Sequence, residues 1–235
     1  MRASPDGPLT HFASPRGEKC RIMAPMACPI CEKRRPKRFC PAKNQQICQR
    51  CCGEQREVTI ACPFDCRYLQ QSREWDYSEG LDPKDFPYKE IRIDESFLRD
   101  HAELVETCGK ALLEASLSTT GTVDADSRAA LDGLVRTYKT RESGLYYDSR
   151  PDSLYAARIF DELNQRIERF VREEEEQSGF ARTRDSDVLS TCVFLLRMAL
   201  DRDNGRPKGR AFLDFLYLHF RPSEEAPSPF LIAGR

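Results

Sequence analysis

Imidazole and indole are scarce: the 235 residues include three His and one Trp. His11, His101 and His219 are far apart, and none adjoins a nucleophile motif. His101 and His219 fall in apolar helical stretches and are expected to be core or boundary residues. The chain also lacks a Gly-rich phosphate loop, a Glu-x-x-His pair and a Gly-x-Ser-x-Gly elbow, so nothing local points to an enzyme. No apolar run approaches a membrane span, and residues 1–27 lack the continuous apolar core of a secretory signal. The expected setting is therefore a reducing cytoplasm, with no membrane partner. There thiols serve as metal ligands more often than as bridges.

Cysteine, by contrast, is abundant and clustered. Of eleven, eight lie between Cys28 and Cys66: Cys28-x-x-Cys31, Cys40, Cys48-x-x-Cys51-Cys52 and Cys62-x-x-x-Cys66. Eight thiolates are what two tetrahedral four-sulfur zinc sites need, and a Cys-x-x-Cys knuckle supplies two ligands with little loop-closure cost. Cys28, Cys31, Cys48 and Cys51 are expected to form one site, the second pair at a helix start. Cys40, Cys52, Cys62 and Cys66 then form the other; the alternatives are one zinc with spare thiols, or disulfides or an iron–sulfur cluster. Giving the neighbours Cys51 and Cys52 to different ions would interleave the sites. The segment is too polar to build a core without metal, so two Zn2+ ions would supply its folding free energy. Eight ligands for two ions leave no open position, which makes the metals scaffolding. Cys108 and Cys192 lie on apolar helical faces and are expected to pack as small hydrophobes.

Residues 28–66 resemble the cross-brace and treble-clef zinc modules of RING, FYVE and HIT type. They depart from those patterns in having no ligand histidine and in the adjacent Cys51-Cys52 pair. The resemblance implies a small zinc-scaffolded recognition module.

Charge is distributed unevenly. Residues 28–76 carry ten Lys and Arg against six Asp and Glu, a net +4; residues 1–27 are +2 and residues 77–235 are −7. Lys33, Arg34, Arg35, Lys37 and Arg38 sit in the loop pinned between Cys31 and Cys40, where they could contact nucleic acid or an acidic protein; Phe39, Arg50 and Arg56 could extend that surface. The alternative is a solvated loop. Oxidation of Cys51 or Cys52 with release of zinc, as in a thiol sensor, is a competing role for the same module.

Residues 1–27 are expected to be a disordered arm; Met23 or Met26 could serve as the start, and Cys20 has no near partner. Residues 28–76 form the zinc module, ending in a short helix over YLQQSREW, and residues 77–93 form a Pro-containing linker. Over 94–221 the apolar period becomes helical, predicting an all-α bundle of five helices. These are a helix over 94–115 capped by Asp94, one over 126–141, a long one opened by Ser149 and Pro151, a broadly apolar one over 186–202 and one over 211–220. Four glutamates, Glu173 to Glu176, crowd the end of the long helix and should fray it. Residues 222–235 are expected to be a loose tail. Tyr146 and Tyr147 are expected to tuck against the bundle or else to anchor a protein partner. Gly205-Arg206-Pro207-Lys208-Gly209-Arg210 resembles an AT-hook core but is expected to be an interhelical turn. Asp201-x-Asp203-Asn204-Gly205 fails as a calcium loop, because its glycine comes early and Phe212 stands where a glutamate is needed.

Overall fold

The computed structural model describes residues 27–75 and 82–220. All but the last residue of the expected arm, the tail and the first five residues of the linker lie outside the described residues, as do His11 and Cys20.

The cysteine-rich part opens with the Cys28–Cys31 knuckle, followed by a two-stranded antiparallel hairpin, β1 (Arg38–Cys40) and β2 (Gln45–Ile47), in which Phe39 pairs with Gln46. Asn44, at φ 49°, makes the turn. Side chains alternate along β1, so Cys40 is buried while Phe39 faces solvent. Helix α1 (Gln49–Gln55) and, after an irregular stretch, α2 (Arg67–Trp75) complete this part. Among the described residues, Ile47, Ile60 and Leu69 are its buried apolar anchors besides the cysteines. That is a small apolar core for a segment of this length.

The remainder of the described chain is helical: α3 (Glu95–Asp100), α4 (Ala102–Leu117), α5 (Asp124–Glu142), α6 (Leu154–Ser178), α7 (Asp185–Asp201) and α8 (Ala211–Phe220). Helix α5 packs chiefly on α7, and α4 on α6 and α8. Leu112, Leu131, Leu134, Phe160, Leu163, Val193 and Phe212 form the centre of one continuous core. Each such side chain contributes about 1.5–3 kcal/mol on burial. Cys108 and Cys192 are both 0% exposed in it, the packing role their apolar faces predicted.

The structure differs from the sequence reading at several places. The helix expected over 94–115 is two. Asp94 does cap the first, accepting from the Phe97 amide at 2.9 Å, but the chain breaks at His101, whose ring stacks on Phe97 at 4.4 Å and whose Nδ1 lies 3.1 Å from the Phe97 carbonyl. Ser149 does not open α6; its amide donates to Thr137 Oγ1 at 2.9 Å, and the helix starts after Ser153. Nor does α6 fray at its glutamates. Gly179 at φ 80° closes the helix, its amide donating a hydrogen bond to the Glu175 carbonyl, and the Glu174 carboxylate accepts from the Thr183 amide at 3.0 Å, so one of the four acids secures the return of the chain. Residues 82–93 are strapped to the bundle: Arg197 donates to the carbonyls of Pro87, Tyr88 and Ile91, and the Tyr88 hydroxyl donates to Asp132 at 2.8 Å. Tyr146 and Tyr147 do not tuck in, being 80% and 57% exposed.

Candidate metal centre

Four cysteines come together as their spacing predicts. The Sγ atoms of Cys28, Cys31, Cys48 and Cys51 all lie within 4.8 Å of one another, and that group could hold a metal ion. The Cys31 and Cys48 sulfurs are 3.8 Å apart. A tetrahedron with metal–sulfur bonds of about 2.3 Å has sulfur–sulfur edges of about 3.8 Å, so this edge already has the length such an ion requires.

Local structure explains the convergence. Cys28 and Cys31 sit on a tight turn in which the Glu32 amide reaches back to the Cys28 carbonyl at 2.7 Å and Glu32 takes φ 52°. Cys48 is the N-cap of α1, its sulfur accepting the Cys51 amide at 3.4 Å. The β-hairpin returns the chain so that the Cys48 amide donates to Cys28 Sγ at 3.3 Å. Each amide–sulfur bond favours thiolate over thiol. The Lys33 amide, aided by that of Arg34 and opposed by burial, lowers the Cys31 thiol from 9.0 to about 6. Cys28 is also lowered: burial, the largest influence, raises it, but the amides of Cys48, Cys31 and Ile30 together outweigh burial. Cys51 moves the other way, raised by burial and then by the neighbouring sulfurs. Backbone amides thus favour thiolate at Cys28 and Cys31, while burial and the neighbouring sulfurs favour the thiol at Cys51.

Cys40, Cys52, Cys62 and Cys66 are not drawn into a comparable group. Cys40, Cys62 and Cys66 are buried, and Cys62 is raised by burial and by the charges of Cys66, Glu57 and Cys40, partly offset by the Glu57 amide. Those three thiols are therefore neighbours. Cys52 is half-buried and accepts from Arg38 Nη1 at 3.7 Å.

The basic residues predicted to face a partner lie on the module's surface. Lys33, Arg34, Arg35 and Lys37 are exposed and Arg38 half-buried, and none of the five pairs with a carboxylate among the described residues. Several arginines elsewhere do, for example Arg50 with Glu54 and Arg150 with Asp161. Arg50 is thus already engaged, and Arg56 is buried. Arg67 and Tyr68, which no local motif singles out, join the surface: the guanidinium groups of Arg38 and Arg67 lie 4.6 and 4.7 Å from the Tyr68 ring centroid. Arg67 Nη2 also donates to the Tyr68 hydroxyl at 2.6 Å, as Arg38 Nη1 does to Cys52 Sγ, so one nitrogen of each guanidinium is already engaged within the module. Only the fold brings Arg38 to Tyr68, thirty positions along the chain.

Elsewhere, the described residues include a cleft of about 240 Å³ lined by Tyr138, Arg141, Glu168, Arg172 and Arg184. Arg141 there is tied to Asp148 at 3.3 Å and Glu168 at 3.7 Å and stacks over Tyr138. His101 Nε2 lies 3.6 Å from Asp187, a contact that closes α3 onto α7. No helix among the described residues is long and apolar enough to cross a membrane. The chain matches no family model, no curated protein and no solved structure.

Proposed function

We propose that the chain is a zinc-binding, non-enzymatic interaction protein whose metal-scaffolded module presents a basic surface to nucleic acid and whose helical bundle makes protein contacts. The observation that carries the metal reading is the convergence of the Cys28, Cys31, Cys48 and Cys51 sulfurs within 4.8 Å. Knuckle, hairpin and helix N-terminus supply those ligands in treble-clef order. All-sulfur ligation favours Zn2+ among the abundant divalent ions, and four ligands leave no open position for catalysis. A second Zn2+ would draw together Cys40, Cys52, Cys62 and Cys66, with Arg38 beside Cys52 offsetting thiolate charge.

Metal changes the electrostatics of recognition. Each filled four-thiolate site has a formal charge of about −2, which takes the module's +4 to about +2 with one ion and to about zero with two. Net charge then does not drive binding. What remains is placement: Lys33, Arg34, Arg35 and Lys37 stand at the surface without carboxylate partners among the described residues, and Arg38 and Arg67 lie against the Tyr68 ring. Guanidinium groups suit phosphate and carboxylate oxygens alike, so nucleic acid is the proposed partner and an acidic protein is the alternative.

Nucleic-acid affinity of the zinc-loaded protein at low salt, with Arg34, Arg35 and Arg38 all changed to Glu, tests the assignment. Removing three cations that neutralise phosphates should weaken binding at least tenfold and flatten the salt dependence by about 0.9 log units for each phosphate left unneutralised. Unchanged affinity removes the surface from consideration.

A further inference from the structure

The Gly205–Arg210 turn, which the sequence places between two apolar helices, is tied to the cysteine module. Glu57 is the hub. It lies between Cys52 and Cys62, is 1% exposed and adopts φ 52°, a left-handed conformation costly for a residue with a Cβ. Its carboxylate accepts from Asn204 Nδ2 at 2.9 Å, from the Arg210 amide at 3.0 Å and from Arg73 Nη2 at 3.0 Å. Its carbonyl accepts the Lys208 amide at 2.7 Å.

All three cations of the turn are held against the module. Arg206 Nη1 donates to the Arg56 carbonyl at 3.1 Å, Lys208 Nζ to the Thr59 carbonyl at 2.9 Å, and the Arg210 guanidinium lies 4.1 Å from the Phe64 ring centroid. The turn is shaped for this. Gly205 takes φ 66°, and a Cβ on Gly209 would fall 2.5 Å from Asn204 Oδ1. As docked, the segment has no free basic edge to lay in a DNA groove.

The module's side of the contact, residues 56–60, contains no helix or strand, only an isolated bridge from Arg56 to Ile60. Its backbone is closed by the Glu57 amide on the Ile60 carbonyl and the Ile60 amide on the Gln55 carbonyl, both at 3.0 Å, and it is flanked by Cys52 and Cys62. The bundle's side is independently anchored: Asp124 accepts the amides of Phe212 and Leu213, each at 3.0 Å, fixing the start of α8 just beyond the turn.

We infer that residues 204–210 form a metal-gated clasp: an ordered cysteine module holds this basic turn through Glu57, and loss of metal releases it as far as Arg210 while α8 stays docked. The inference rests on the proposed metal binding and adds a regulated output, exposure of Arg206, Lys208 and Arg210, to a site otherwise read as scaffolding. Release stops at Asp124, whose amide donates to the Gly209 carbonyl at 2.9 Å and whose carboxylate holds the start of α8; α8 also meets the module, through Asp214 with Arg73 and Tyr217 against Phe64, and packing on α4 keeps it docked when those contacts open.

Hydrogen exchange and limited trypsin digestion of the full chain, zinc-loaded and after chelation, test the gate. Chelation should speed exchange of the Lys208 and Arg210 amides and cleavage after both residues at least tenfold, leaving the Phe212 and Leu213 amides unchanged. Glu57→Gln should open the turn in zinc-loaded protein without loss of bound metal; Asn204→Ala, which removes one donor from the carboxylate, should do so to a smaller degree and serves if the Glu57 variant does not fold. A turn still protected when the Cys51 and Cys52 amides exchange freely overturns the gate alone. Phe212 and Leu213 opening together with the turn also overturns it. A chain that takes up no metal overturns both the gate and the reading beneath it.

Discussion

Replacing Cys48 by Ser or by Ala separates its two roles. Its sulfur is one of four converging ligand atoms and also the N-cap of α1, accepting the Cys51 amide at 3.4 Å. A structural zinc site contributes about 10–16 kcal/mol of binding free energy, or roughly 3–4 kcal/mol per thiolate if shared evenly. Serine is a good N-cap but a poor zinc ligand at neutral pH. Cys48→Ser should therefore cost about 2–4 kcal/mol of metal binding, a fall in affinity of roughly thirty- to a thousandfold, while α1 keeps its cap. Cys48→Ala loses ligand and cap, and the missing cap adds about 1 kcal/mol, a further factor of about five. Competition against a chromophoric chelator, anaerobically at pH 7, measures all three proteins. A serine variant within threefold of the parent would show that Cys48 is not a ligand; equal serine and alanine variants would show that the cap contributes nothing to the centre.

Two glycines on helices should respond oppositely to Ala. A Cβ on Gly133 in α5 would lie 2.7 Å from the Ser149 carbonyl oxygen and 3.2 Å from Phe160 and Pro151, whereas one on Gly53 in α1 meets nothing within 4 Å. Overpacking costs about 1–3 kcal/mol and helix propensity returns about 1, so Gly133→Ala should lose up to about 2 kcal/mol in urea unfolding while Gly53→Ala gains up to about 1; a stabilised Gly133 variant would contradict the packing of the 149–151 segment on α5. Burial raises Asp124 from 3.8 to about 6, against the lowering effect of the Phe212 and Leu213 amides. The folded protein thus holds this proton more tightly than the unfolded chain, and stability should fall as pH rises from about 4 to about 6, by roughly 3 kcal/mol at most. Asp124→Asn lacks that slope. Metal loss at acid pH affects both proteins, so the difference between their unfolding free energies isolates Asp124, and a pH-independent difference would refute the assignment.

What the sequence disclosed followed the range of the interactions involved. Pairing Cys28 and Cys31 with Cys48 and Cys51 needed only knuckle spacing, and α8 occupies residues 211–220 as its apolar run predicted. Helix α7, apolar around most of its circumference, does run through the core. The hairpin leaves no mark in the sequence, because three-residue strands carry too little alternation to register. The break at His101 depends on a ring stacked against Phe97, and the intact end of α6 on Glu174 reaching Thr183; neither changes the apolar period. Glu57 was the least legible residue of all. Nothing near a glutamate in an irregular stretch announces partners about 150 positions away, yet Asn204, Lys208 and Arg210 all converge on it.

X-ray absorption at the zinc edge of the purified full chain, with metal-to-protein stoichiometry, tests the central claim most directly. Four sulfur neighbours at about 2.3 Å with no nitrogen or oxygen, at one to two ions per chain, is the predicted result. A chain purified without metal under reducing conditions, nitrogen or oxygen among the metal's neighbours, or disulfides linking Cys28, Cys31, Cys48 and Cys51 would contradict it.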